Sequence, residues 1–138
     1  MYPVRRLVLK GARQLLLERA RNARWERKLR MKYTAHIHGK IGEITTLQAR
    51  THQRLAKLME QEAVMHRLCA NLDARAASRS PKSSTAPVFL KFRQQHIHQM
   101  QKARAEAWAH RQLAARSQAR AIWHRSLVNL LLISSGLQ

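Results

Sequence analysis

One stretch, SRSPKSSTAP at 78–87, interrupts this sequence more sharply than any other. It gathers two of the three prolines, four serines and a threonine. Such a cluster reads as a linker, and Pro87 disfavours helix at Ala86 before it. Little else in the chain can stop a helix. Four glycines and one further proline are spread over the rest of the 138 residues, and Ala, Leu, Arg and Gln, all good helix formers, dominate. β-branched residues are sparse and scattered. The expected fold is all-α.

Apolar periodicity divides the chain into three segments. In the first, about 3–33, Pro3 suits a first helical turn. Val4, Val8, Gly11, Leu15, Trp25, Leu29 and Tyr33 fall on one stripe at helical spacing, interrupted by Glu18 and Asn22. The stretch HIHGKIGE then places Gly39 and Gly42 where a helix stop and a turn are expected. In the second segment, about 43–77, Ile44, Thr51, Leu55, Leu58, Glu62, Met65, Cys69 and Leu72 repeat at three- and four-residue spacing. A short connection between two long amphipathic helices favours an antiparallel hairpin over 1–77. The third segment, 88–138, is a basic helix with a small face of Phe89, Phe92, Met100, Ala103, Ala107, Ala114, Ala121 and Val128, followed by an apolar tail. The expectation is a long hairpin plus a third long Ala/Arg-rich helix, extended rather than compact.

Charge limits what such helices can do. The chain carries 27 Lys+Arg against 7 Asp+Glu, a net charge of +20. Self-repulsion penalises a compact state with this imbalance, and a polyanion relieves it. The excess is uneven: residues 1–40 hold 12 cations and 2 acids, residues 41–77 hold 5 and 4, and residues 78–138 hold 10 and 1. Two basic ends are expected to face phosphate and a nearly neutral middle to serve as scaffold. Arg19, Arg21, Arg24, Arg27, Lys28, Arg30 and Lys32 cover most of a helix circumference. With Arg93, Arg104, Arg111, Arg116 and Arg120 of the third segment they are the expected RNA-binding residues. Leu55, Leu58, Met65 and Leu72 are the expected protein-packing residues.

Other chemistries lack their residues. There is no Gly-rich phosphate loop, no HExxH and no Gly-x-Ser-x-Gly elbow, so no enzyme is expected. The single Cys69 allows no disulfide within the chain and no cysteine-based zinc site, and it reads as a buried structural thiol. His36-Ile37-His38 and His96-Ile97-His98 invite a metal, but neighbours two apart on a helix point in divergent directions, and a site would need both motifs to meet. They read as turn and surface histidines. Trp25 lies on the apolar stripe and reads as a core anchor. Trp108 and Trp123 lie off the Ala face, where a partner contact and stacking on a base are both open. No cofactor, metal or small-molecule substrate is expected. The longest apolar stretch, LVNLLLISSGL at 127–137, is too short to span a bilayer and reads as a docking segment.

The whole chain resembles, in composition, the small lineage-specific proteins of mitochondrial ribosomes: basic, helical and without catalytic residues. That resemblance implies rRNA and neighbouring ribosomal proteins as partners. The first 24 residues resemble a mitochondrial presequence, amphipathic and Arg-rich with Glu18 as the one acid. With Met1 present, a retained address and a matrix location are expected. A second class with small helical members is the LYR adaptors of respiratory assembly. Their Leu-Tyr-Arg signature is missing, and the nearest stretch reads RRLVLKG. The leading expectation is a structural rRNA-binding ribosomal component. The alternative is an accessory subunit of a respiratory complex or ATP synthase that binds proteins and anionic lipid.

Overall fold

The computed structural model describes residues 2–136. Two helices account for nearly all of them: α1, Tyr2–Arg79, of 78 residues, and α2, Ala86–Ser135, of 50 residues. No strand occurs among the described residues. The all-α expectation holds, but the hairpin expected between 3–33 and 43–77 does not form, because those two segments are one helix. Gly39 and Gly42 sit inside α1 and neither has a positive φ. A glycine in a helix interior costs about 1 kcal/mol relative to alanine. That is too little to break a ladder of hydrogen bonds continued by strong helix formers on both sides.

The break falls at residues 80–85, inside the expected linker. Pro81 disfavours helix at the residue before it, and α1 ends at Arg79. A short run of turns follows, with Ser83 N donating to Ser80 O at 3.0 Å and Ala86 N to Ser83 O at 3.2 Å. Thr85 then starts α2: its carbonyl accepts from Val88 N at 3.1 Å and from Phe89 N at 3.2 Å. Pro87 lies in the first turn, where a missing N–H costs nothing, so the helix begins at Ala86 despite the proline after it. The expected apolar tail is not a separate segment. Helix α2 continues through Ser135 and closes on Gly136, whose φ of 67° is the left-handed conformation that ends helices.

The chain divides into two compact units, each drawing on both helices. One comprises Met1–Glu43 with Ala121–Gln138, and the other Ile44–Arg120. In the second unit α1 and α2 lie side by side and antiparallel, since His52 meets His110 while His66 meets His96. Their buried contacts are alanines: Ala49, Ala56, Ala63, Ala70 and Ala77 from α1, at strict seven-residue spacing, against Ala86, Ala103, Ala107 and Ala114 from α2. A seven-residue repeat of small side chains keeps one face on the partner helix and lets the backbones approach closely. In the first unit, Ala35 and Gly42 of α1 and Ala121 of α2 are the buried small residues of the same kind. A Cβ added at Gly42 would meet His124 Cβ at 3.6 Å and Ala121 O at 3.8 Å.

This corrects the expected seam. Leu58, Met65 and Leu72 are more than half exposed, and Leu55 and Cys69 are half-buried. The helices meet on the alanine face instead, about a third of a turn around α1. No large side chain is fully buried among the described residues. Alanine offers one methyl each, so apolar burial contributes little per residue to this pairing. Of the expected face of the third segment, Ala103, Ala107, Ala114 and Ala121 are buried, whereas Phe89, Met100 and Val128 are half-buried and Phe92 is exposed.

Candidate nucleic-acid interface

Alanine seams specify register weakly, because one methyl fits another seven residues away. The polar residues beside them do not share that ambiguity. In the second unit, His52 Nδ1 lies 3.1 Å from His110 Nδ1, and His66 Nδ1 lies 3.0 Å from His96 Nδ1. In the first unit, His38 Nδ1 lies 2.9 Å from His124 Nδ1. All six side chains are half-buried. Their rings are inclined by only 27–37° and their centroids lie 5.1–5.3 Å apart. That separation is close to the largest that such short nitrogen contacts allow. Each nitrogen therefore points at its partner and does not converge with it on a third point. One ring must donate N–H and the other accept. The arrangement is a shared-proton bond between helices, unlike a chelate.

Charged groups set the environments of these pairs apart. His66 Nε2 is 3.6 Å from Glu62 Oε1, and His96 Nε2 is 3.7 Å from Asp73 Oδ2, so acids flank the 66–96 pair on both sides. In the first unit, Trp123 packs edge-on against His38 and His124, with centroids 6.0 and 4.9 Å away. The two His-Ile-His motifs do not combine: His38 takes His124 and His96 takes His66. No group of three or more His, Cys, Asp or Glu among the described residues could hold a metal.

The histidine pairs were not anticipated from the sequence, yet they leave a signal there. His38, His52 and His66 are fourteen residues apart, two heptads, and so are His96, His110 and His124. Read as adjacent-pair motifs, these histidines hide that longer period.

The cations occupy the outside. In the first unit Arg19, Arg21, Arg24, Arg27, Lys28, Arg30 and Lys32 are all exposed on α1. Among the described residues, Arg30 is the one member of this block with an ion-pair partner, Glu26 at 3.6 Å, and both side chains are mostly solvated. Trp25, expected as a core anchor, is 64% exposed. The reason is that α1 buries its alanine face further along, and no described residue covers the stripe here. Trp108 and Trp123 are also exposed.

In the second unit Arg93, Arg104, Arg111, Arg116 and Arg120 are exposed on α2. Arg111 is tied across to Glu60 of α1 in an ion pair, which makes it a strut between helices as well as a surface cation. It closes one side of an open groove of about 520 Å³ that Arg50, Gln53, Arg54, Ala56, Lys57 and Glu60 complete. Four cations around one already paired acid leave this groove positive. Arg93 and Arg104 line a second, smaller groove of about 360 Å³ together with Arg67.

The chain matches no protein-family model, no curated protein and no solved structure. Among the described residues no helix is long and apolar enough to cross a membrane.

Proposed function

We propose that this protein is a structural, non-catalytic rRNA-binding component of a mitochondrial ribosome, neutralising phosphates and bridging RNA to neighbouring proteins. The observation that carries the reading is the block from Arg19 to Lys32. Seven exposed cations surround a helix there with one weak intrachain partner. Exposed like charges spaced this closely repel each other, and phosphates around the helix reverse the sign of that energy. Arginine predominates, and its planar fork suits phosphate oxygens while its face stacks on bases. The exposed Trp25 adds a surface on which an unpaired base can stack. The basic groove lined by Arg50, Arg54, Lys57 and Arg111 supplies a second phosphate-contacting region. No set of base-edge contacts is specified by such a surface, so recognition rests on backbone and shape.

The testing experiment extracts the tagged protein from mitochondria under graded salt, ribonuclease and detergent. Release by ribonuclease and by raised salt, with rRNA in the untreated fraction, supports the reading. Release by detergent alone, with no RNA attached, refutes it in favour of a membrane-associated assembly.

A further inference from the structure

Helix α1 carries two heptad seams, and α2 occupies only the narrower one. The other runs through Ile44, Thr51, Leu58, Met65 and Leu72 at seven-residue spacing, with Leu55 and Cys69 between them. All of these lie within the second unit. Ile44, Leu58, Met65 and Leu72 are 54–64% exposed. We infer that this stripe docks an acidic α-helix from another protein, making a three-helix contact in which α2 holds the alanine face of α1 and the partner holds the leucine face.

The kind of partner follows from spacing and charge. Alternating three- and four-residue steps keep side chains in line with another helix, whose knobs fill the holes between them. A strand or a nucleic-acid backbone has no such period. Along the free edge of the stripe the flanking heptad position holds Arg54 and Arg75 together with Leu47, Gln61 and Leu68, and Arg50 and Lys57 lie just beyond, so the charge on this edge is positive. Arg54 and Arg75 sit where interhelical ion pairs form in coiled coils, so the partner supplies Glu or Asp opposite them. A second copy of this chain cannot, because its 27 cations face only 7 acids. Glu62, exposed on the stripe, turns towards His66 at 3.6 Å and marks one point where the partner carries a basic or neutral residue. Arg50, Arg54 and Lys57 also line the groove proposed to meet phosphate, so it is the apolar stripe, and not these cations, that separates this inference from nucleic-acid binding.

The test uses a synthetic amphipathic helix of about four heptads with Leu at the core positions and Glu at the flanks. Cys69 is the only thiol and lies on the stripe, so its alkylation rate reports occupancy. The full chain should bind this peptide and its Cys69 should react more slowly when bound. Leu58→Ser with Met65→Ser should weaken binding about tenfold or more, since each removes an apolar side chain that the peptide would cover. Leu72→Ser should act in the same direction. Both variants alter exposed residues and should keep the helical circular dichroism of the parent. A peptide with Ser in place of Leu, or with Lys in place of Glu, should not bind. Equal binding of the Ser peptide would reduce the interaction to charge alone and overturn the inference. Equal binding of the Lys peptide would refute the acidic partner. Self-association that Leu58→Ser abolishes would assign the stripe to a second copy. Adsorption to phosphatidylglycerol vesicles that the same substitution abolishes would assign it to lipid.

Discussion

His52 on α1 and His110 on α2 share one proton position across the helix pair, their Nδ1 atoms 3.1 Å apart. The contact needs one ring with N–H and one without. Removing a single ring therefore costs more than removing both. His52→Ala leaves His110 half-buried with an unmet polar atom, a loss of about 1–3 kcal/mol, whereas His52→Leu with His110→Leu replaces both by apolar groups and should be close to neutral. A double-mutant cycle read by urea unfolding checks this. Purely additive single effects would show that the two rings do not interact.

Gly42 offers a test of opposite sign. A Cβ there meets its nearest neighbours at 3.6–3.9 Å, ordinary contact, inside a helix that glycine weakens. Gly42→Ala should stabilise by about 0.5–1 kcal/mol, seen as a raised unfolding midpoint. Destabilisation would mean that Ala121 and His124 crowd this position and cannot give way to a methyl group.

The two faces of α1 should answer differently to a change of size. Leu58 is 54% exposed, so Leu58→Ala in the isolated chain should change stability by no more than about 0.5 kcal/mol. Ala63 is 4% exposed in the seam, and Ala63→Leu should cost about 1–3 kcal/mol by forcing the helices apart. Chemical denaturation of both variants ranks them directly. The reverse ranking would put the helix contact on the leucine stripe.

Salt separates phosphate binding from apolar docking. If six to ten cations contact phosphate, RNA affinity should fall about 10³–10⁵-fold between roughly 50 and 200 mM salt. Replacing Arg21, Arg24, Arg27 and Lys28 by Gln should flatten the slope of log K against log salt by about 0.7–0.9 for each phosphate no longer neutralised. Filter binding across a salt series measures both. An unchanged slope would remove the 19–32 block from the interface.

Much of this fold was legible in the residues themselves. Few glycines and prolines, strong helix formers and one Ser/Pro cluster determine long helices and the position of the single break, because those are local backbone energies. The exposed cations of 19–32 were equally legible, since no other segment carries enough acid to cover them. Gly39 and Gly42 misled, because a glycine signals a stop only where the chain also turns, and whether it turns depends on what packs against it. The choice of seam was not legible either. Leu55, Leu58, Met65 and Leu72 form the more hydrophobic stripe, and transfer energy alone favours burying it. The tertiary structure decides for Ala49, Ala56, Ala63 and Ala70, because α2 presents a matching small face and places His96 and His110 opposite His66 and His52. The sequence determines two amphipathic helices with two candidate seams on the first. Only the packing of one helix on the other shows which seam is filled, because that choice rests on complementary shape and on paired polar groups that neither helix possesses alone.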